Sequence, residues 1–309
     1  PQGTQILFPT GVASYCRIVF LLPASLKIVF VCSVYSFCRS ELKIKKNKQL
    51  YFIILKNLHL IFRRNQLQSQ QLFPNNYYSI QSSNFNPRHN TVVIVHGWLN
   101  NQNSNFNTVL KNVFLAKDDV NVIVLDWSWL SRRDYISAVY GVPEVGRHLG
   151  QFLKFLIAST GSSYDKFHLV GFSLGTHLVG NAGIECERKI SRITALDPAG
   201  PLWNLNSNRL SPNSAEYVEA IHTDGGYTIG GLGIGSAIAQ VDFFPNGGIS
   251  QPGCLTNICN HNRAWELFAA TVTYNHLIGN ECSNNLQLTL NTCRGHELPM
   301  GNDDCKKRG

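Results

Sequence analysis

The sequence is poor in charged residues, and its amino-terminal end is almost free of acidic ones. Asp, Glu, Lys and Arg make up 15% of the 309 residues. Residues 1–90 hold eleven Lys and Arg against one acid, Glu41, whereas residues 91–309 hold 16 against 18. The formal charge of +8 is therefore a property of the amino-terminal segment. It gives no indication that the rest of the chain binds nucleic acid.

The sequence also lacks an uninterrupted apolar run that would span a membrane comfortably. The stretch from Ile18 to Phe37 contains Pro23 and Lys27, and a lysine at mid-span costs about 2.5–3.5 kcal/mol on insertion scales. We therefore expect no stable transmembrane anchor. We interpret residues 1–55 as a signal-like segment, or as the product of a wrongly assigned gene start, outside the folded protein. Residues 56–309 are long enough for one α/β domain.

Cysteine motifs for metal binding are missing as well. No CxxC and no paired Cys/His spacing occurs among the nine cysteines, so we expect no metal site. Nine cysteines are typical of an oxidising compartment, which favours a secreted, extracellular protein. Three of them, Cys16, Cys32 and Cys38, lie in the amino-terminal segment. Cys186 and Cys305 could pair, and the sequence alone leaves this open.

What the sequence does contain is a glycine-framed serine between a strand and a helix. The apolar run Phe167–Val170 leads into Gly171-Phe172-Ser173-Leu174-Gly175. This pattern is typical of a serine on a sharp strand-to-helix turn, with its hydroxyl exposed. Glycines at both flanks leave room for the tight backbone. The alternative is a Gly/Ser-rich turn without catalysis.

A serine nucleophile needs a base and an orienting acid, which this class of hydrolase supplies in the chain order Ser, Asp, His. Asp197 ends the next apolar strand and precedes turn-forming residues, so we expect it at the edge where Ser173 emerges. Its alternative role is to cap its own turn. Four histidines follow: His222, His261, His276 and His296. We favour His261 as the base, in a loop fixed by Cys259 just before a helix. We expect His222 to be packed or to support the site without contacting the substrate.

Apolar runs and helical spacing predict an α/β fold with a central, mostly parallel sheet and helices on both faces. Thr91–His96 and Val120–Asp126 are β-branched runs, typical of strands buried on both faces. We also predict an edge strand over residues 59–63, a helix over residues 103–114, and a helix over residues 142–157 that starts near Pro143. The glycine-dense segment 225–235 is predicted to be a loop near the site.

These motifs together resemble the pancreatic-type lipase family, most closely its insect branch, which includes phospholipases A1. The segments that match are His96-Gly97-Trp98, Asp126-Trp127-Ser128, Gly171–His177, Leu196–Pro201 and Cys259–Ala264. The resemblance runs from about Leu58 to Gly301 and implies an α/β-hydrolase fold over residues 56–309.

The resemblance also implies a role for particular residues. Ser173 would be the nucleophile, Asp197 the orienting acid and His261 the base. The backbone N–H groups of Trp98 and Leu174 would form the oxyanion hole. The implied disulfides are Cys254–Cys259, which bounds the lid over the site, and Cys282–Cys293.

The length of the lid, the segment between Cys254 and Cys259, predicts the class of substrate. Four residues separate Cys254 from Cys259, whereas triglyceride lipases of the family carry a much longer lid. An open trench would admit a bulky headgroup, so we expect a phospholipase A1 that cleaves the sn-1 acyl ester at a lipid interface. The alternatives are a triacylglycerol or general lipase, a hydrolase of small soluble esters, and a non-catalytic yolk-type lipid-binding protein.

Two further expectations concern ligands. Serines stand in residues 209–214 where relatives hold calcium with aspartates, so we expect no calcium requirement and no cofactor. The candidate lipid-contacting side chains are Leu202, Trp203, Leu232 and Ile234.

Overall fold

The computed structural model describes residues 58–61, 69–226 and 230–308, and the predictions for residues 1–55 lie outside this part of the chain. Eight strands form the main sheet and two more form a small separate sheet. The strands are β1 (Leu58–Ile61), β2 (Gln70–Leu72), β3 (Thr91–Val95), β4 (Asn121–Leu125), β5 (Phe167–Phe172), β6 (Arg192–Leu196), β7 (Tyr217–Ile221), β8 (Val241–Phe243), β9 (Ile278–Asn280) and β10 (Glu297–Pro299).

The main sheet is mostly parallel, as predicted. Its order is β2-β1-β4-β3-β5-β6-β7-β8, and the six strands from β4 to β8 in this order run parallel, while β1 is antiparallel to both its neighbours. The register pairs Val95 with Gly171, and Leu196 with both Phe172 and Ile221. The carboxyl ends of these strands therefore meet at one edge, which is where open α/β sheets place their sites.

Helices cover both faces of this sheet, which confirms the α/β-hydrolase class. They are α1 (Tyr77–Gln81), α2 (Asn105–Lys117), α3 (Ser128–Ser131), α4 (Tyr135–Thr160), α5 (Leu174–Glu185), α6 (Asn257–Tyr274) and α7 (Asn285–Leu290). Helices α2 and α6 share one core with strands β3 and β4, in which Phe114 and Phe268 lie 6.0 Å apart. Helices α4 and α5 pack against each other on the opposite face.

Helix α4 is longer than predicted, and Pro143 lies in its interior, not near its start. The helix begins after Asp134, whose side chain accepts a hydrogen bond from the Ser137 N–H at 2.8 Å. The first turns escaped prediction because Ile136 and Tyr140 are exposed apolar residues, which obscure the helical periodicity. Pro143 costs the helix one backbone hydrogen bond.

The two disulfides implied by the family resemblance are present. Cys254 is bonded to Cys259 and Cys282 to Cys293. Cys186 and Cys305 are buried free thiols, so the pairing left open by the sequence does not form. In the described ranges, no helix has the length and apolar character needed to cross a bilayer.

Candidate active site

Ser173 lies between β5 and α5 in a strained backbone conformation. Its φ of 56° and ψ of −122° are rarely adopted by a residue with a side chain, and such strain concentrates at functional sites. A Cβ on Gly171 would lie 2.5 Å from the carbonyl oxygen of Gly175, so the turn can close only with glycine there. Among the described residues, no hydrogen bond engages the Ser173 hydroxyl, which leaves it available at the edge of the sheet.

Asp197 follows β6 and is completely buried. Its Oδ1 accepts hydrogen bonds from the backbone N–H groups of Thr223 (2.7 Å) and Asp224 (3.0 Å), and its Oδ2 is hydrogen-bonded to Nδ1 of His261. The carboxylate thus reaches residues far along the chain, and the alternative in which it only caps its own turn is wrong. Thr223 and Asp224 were missed by sequence reasoning, because they act through backbone groups.

His261 lies inside helix α6 and not in the loop predicted for it. The helix begins at Asn257 because the Thr256 side chain caps it, accepting a hydrogen bond from the Cys259 N–H at 3.2 Å. The Cys254–Cys259 disulfide ties down the same turn. The residues of this turn are weak helix formers, so the sequence suggested a loop. The His261 ring lies 4.6 Å from the Phe172 ring, beside Ser173.

The other three histidines do not reach Asp197. His222 is buried and bonded to Asp242, in agreement with the prediction that it is packed. His276 and His296 are exposed in the segment that follows α6. The structure therefore joins the predicted residues Asp197 and His261 directly, and it places the His261 ring against Phe172, the neighbour of Ser173.

The two predicted oxyanion donors flank the serine. Leu174 is the first residue of α5, and the first N–H groups of a helix have no partner within it. Trp98 follows Gly97, whose backbone packs so closely on Ser173 that an added Cβ would lie 2.7 Å from the serine Cβ. The Trp98 indole donates to the Arg133 carbonyl at 2.9 Å, while its backbone N–H has no acceptor among the described residues.

Comparison with known proteins identifies the family. Residues 36–307 match the family model described as Lipase. The chain belongs to the lipase family. It is 34% identical to pancreatic triacylglycerol lipase of Mus musculus over 275 residues, which cover 81% of this chain and 58% of that protein.

Other relatives give the same picture. Pancreatic triacylglycerol lipase of Homo sapiens is 33% identical over 268 residues, which cover 76% of this chain and 57% of that protein. Pancreatic lipase-related protein 2 of Rattus norvegicus is 32% identical, with coverage of 76% and 56%. This lipase-family chain thus spans less than two thirds of the length of these relatives. The insect branch stays a prediction.

A second carboxylate, which sequence reasoning missed, lies beside the Asp197–His261 pair. Asp224 is buried, and its Oδ2 accepts a hydrogen bond from the Leu232 N–H at 2.7 Å. Burial, together with the charge of Asp197, raises the pKa of Asp224 to about 6. The side chains of Asp197, Asp224 and His261 offer atoms within 4.8 Å of one another. Since both Asp197 oxygens already have partners, we assign no metal here.

The apolar surface near the site differs from the predicted one. Trp203 and Ile234, two of the predicted lipid contacts, are fully buried. Trp203 stacks on His177 at 4.1 Å, and the backbone of Ile234 is bonded to Pro198 and His222. Leu202 is 58% exposed, as predicted, and Leu232 is half-buried. Further exposed apolar side chains lie on loops at the carboxyl edge and on the lid: Leu99, Leu205, Leu255 and Ile258.

Proposed function

We propose that this chain is a serine hydrolase that cleaves carboxylic esters of lipids. The observation that carries the proposal is the bonded pair of Asp197 and His261, whose imidazole ring lies 4.6 Å from the ring of Phe172, the residue before the strained Ser173. Asp197 bonds to Nδ1 of His261, which leaves Nε2 as the nitrogen that can accept the serine proton. The names of the pancreatic lipase relatives support a lipid ester as substrate.

The proposed reaction has two halves. Ser173 Oγ attacks the ester carbonyl carbon while its proton moves to His261 Nε2. The N–H groups of Trp98 and Leu174 stabilise the negative oxygen of the tetrahedral intermediate. The intermediate collapses to an acyl-serine and the alcohol leaves with the proton from His261. Water, deprotonated by the same imidazole, then attacks the acyl carbon. The bond to Ser173 Oγ breaks, the serine takes the proton back from His261, and the fatty acid leaves.

Covalent labelling tests this role of Ser173. An organophosphate that targets serine hydrolases should label the wild type once per chain, and Ser173→Ala should abolish both labelling and ester hydrolysis, with a loss of about 10⁴–10⁶ in turnover. Ser163→Ala, at an exposed position, is the matched control and should be labelled normally. Unchanged labelling of Ser173→Ala would refute the proposal. A properly folded wild type that is never labelled would favour the non-catalytic lipid-binding alternative.

We further infer that the substrate is a phospholipid cleaved at its sn-1 ester, the activity of a phospholipase A1. Support comes from the small lid: helix α6 starts at Asn257, so the loop between Cys254 and the helix consists of Leu255 and Thr256. A loop of this size cannot cover a trench, and a bulky headgroup could reach Ser173. The alternative of a triacylglycerol lipase is favoured by the names of the relatives.

The exposed apolar residues support action at a lipid interface. Leu255 is 99% exposed, Ile258 67% and Leu205 101%. Leu205 lies in the loop after Asp197, and Leu255 and Ile258 lie between Cys254 and Cys259, with Ile258 in the first turn of α6. Exposed apolar side chains clustered around a site mark a surface for another apolar phase. The two disulfides support a secreted, extracellular protein.

A substrate comparison tests both inferences. We expect release of the sn-1 fatty acid from phosphatidylcholine vesicles at a higher rate than hydrolysis of triolein emulsions, whereas exclusive triolein hydrolysis would refute the phospholipase proposal. Leu255→Asp should reduce vesicle hydrolysis but leave a soluble ester unaffected. Leu286→Asp, at an exposed position of α7, is the control. Equal rates below and above the onset of a lipid phase would indicate a hydrolase of soluble esters.

A further inference from the structure

The ring of His222, just after β7, contacts hydrogen-bond acceptors with both of its nitrogens. Nδ1 lies 2.7 Å from the carbonyl oxygen of Ile234, and Nε2 lies 2.8 Å from Oδ1 of Asp242. A carbonyl oxygen can only accept. The Asp242 carboxylate also accepts hydrogen bonds from the N–H groups of Ile238 (2.9 Å) and Ala239 (3.0 Å), as expected of an ionised group. Both ring nitrogens must then donate, and only the imidazolium form does so.

We propose that His222 is held as an imidazolium ion and serves as a positioning residue for the carboxylate of Asp197. The proposal rests on the function proposed above, because it assigns His222 to the support of the candidate acid. His222 does not touch the reacting atoms. It acts through the segment that contains Gly233 and Ile234, and through its own neighbour Thr223.

The contacts between His222 and Asp197 are short and continuous. The Ile234 carbonyl is bonded to His222, and the Ile234 N–H donates to the carbonyl of Pro198 at 2.7 Å. Gly233, one residue earlier, packs against the Asp197 carboxylate so closely that an added Cβ would lie 2.5 Å from Oδ1. The His222 ring thus fixes the backbone of the segment that packs against the side chain of Asp197, which we call the wall.

The second connection runs along the chain itself. Thr223 follows His222 and donates its backbone N–H to Oδ1 of Asp197 at 2.7 Å. The His222 N–H, in turn, donates to the Phe243 carbonyl of β8 at 2.8 Å. The side chain of His222 therefore anchors the segment whose Gly233 packs against the Asp197 carboxylate. Its backbone anchors the start of the loop whose Thr223 donates to Asp197 Oδ1.

The charges around His222 are consistent with a cationic ring. From β8, Asp242 contributes the carboxylate that pairs with it. The residue after β8, Phe244, stacks on the ring at 4.5 Å without charge, and the Ile234 segment contributes a carbonyl. On its own segment, Asp224 is directed to the Leu232 N–H. Across the sheet edge, Asp197 is bonded to His261.

Loss of the His222 proton would leave one of these acceptors facing a lone pair. Either the Ile234 carbonyl or the Asp242 carboxylate would then lose its donor, and the wall beside Asp197 would loosen. We expect kcat to fall when either of these two contacts is removed. Binding of a small soluble ester does not involve this region, so KM should change little.

Nitrogen-15 NMR of the full chain labelled at histidine tests the charge state directly. At pH 7, the His222 resonances, assigned by their absence in His222→Gln, should have the shifts of an imidazolium. The chain provides an internal reference in His177, which should appear as the neutral Nε2–H form. In Asp242→Asn the amide can donate to Nε2, so His222 should become neutral. A neutral His222 in the wild type would overturn the proposal.

Kinetics on a soluble p-nitrophenyl ester test the positioning role. His222→Gln should lower kcat by about 10–10²-fold, the effect of a small misplacement of a catalytic group, with KM within about twofold. His276→Gln, at an exposed histidine, should match the wild type. A wild-type kcat in His222→Gln would refute the positioning role. A wild type inactive on every ester would instead refute the proposed function, while the NMR result would still decide the charge of His222.

Discussion

Two buried histidines, His177 in α5 and His222 after β7, support opposite sides of the candidate site and differ in what their rings contact. His177 accepts a hydrogen bond from the Leu210 N–H at Nδ1 (3.1 Å) and bonds to the Ala199 carbonyl through Nε2 (2.9 Å). One donor and one acceptor fit a neutral imidazole. Burial lowers the pKa of His177 to about 3, so the ring stays neutral at every pH of interest.

The difference teaches that a buried histidine can support a site either as a neutral ring between backbone groups or as a ring paired with a carboxylate. The His177 contacts involve a donor and an acceptor of the backbone, and no charged group takes part. His222 faces two acceptors, one of them the Asp242 carboxylate. The helix that carries Ser173 is therefore held independently of pH, whereas the support of Asp197 depends on a proton. Substitutions at His177, Gly233 and Asp224 separate these two kinds of support.

His177→Phe should produce the largest loss of stability, and the same loss at every pH. Phenylalanine can keep the stacking on Trp203 but leaves the Leu210 N–H and the Ala199 carbonyl buried without partners. Each unsatisfied buried group costs about 1–3 kcal/mol, so we expect the free energy of unfolding to fall by about 2–5 kcal/mol. Urea titrations at pH 5 and pH 8 measure it.

The control for this experiment is His276→Phe, at an exposed histidine, which should change the free energy of unfolding by less than about 0.5 kcal/mol. A destabilisation by His177→Phe that differs between pH 5 and pH 8 would contradict the neutral state of His177 and remove the contrast with His222.

The framework of the site follows from local sequence. Strands β3 and β4 lie within the predicted runs 91–96 and 120–126, because these β-branched runs leave few alternatives to a buried strand. The serine turn was predictable for a similar reason, since its glycines are required by the closeness of the backbone.

The supports of the site depend on contacts between distant residues, and local patterns do not encode these. Asp224 and His222 gain their partners only because segment 231–235 folds back onto the loop after Asp197. Trp203 is apolar and near the site in sequence, yet it is buried under His177. Strand β8 has three residues, too few for a recognisable alternation.

Gly233→Ala tests the wall that His222 is proposed to hold. A methyl group at this position would lie within 2.5–2.7 Å of the Asp197 carboxylate atoms, so the acid or the wall must move. We expect kcat on a soluble ester to fall by about 10²-fold, with the His222 imidazolium signal retained because its own partners remain.

A matched glycine gives the control. Gly161→Ala, at the end of α4, meets no atom within 4 Å but has a φ of +70°. It should lower the free energy of unfolding by about 1 kcal/mol without changing kcat. Wild-type activity in Gly233→Ala would show that the position of this wall does not matter to Asp197.

Asp224→Asn removes the ionisable carboxyl group that lies beside Asp197. We expect it to have the smallest effect of these three variants. The pKa of Asp224 is raised from 3.8 to about 6 in the folded chain. Its contribution to stability is therefore fully present below about pH 4 and is lost as the pH rises through 6. The amide cannot ionise and suffers no such loss. Relative to wild type, the variant should gain about 1–3 kcal/mol in free energy of unfolding between pH 4 and pH 8.

Asp165→Asn provides a control of opposite sign. Its hydrogen bond with Ser163 and the nearby Lys306 lower the pKa of Asp165, so the wild-type carboxylate contributes stability that is lost as the pH falls. Relative to wild type, this variant should become slightly less stable as the pH rises, and the effect should be small because Asp165 is partly exposed. Urea titrations of both variants should diverge in opposite directions. Parallel curves would show that Asp224 does not ionise beside Asp197.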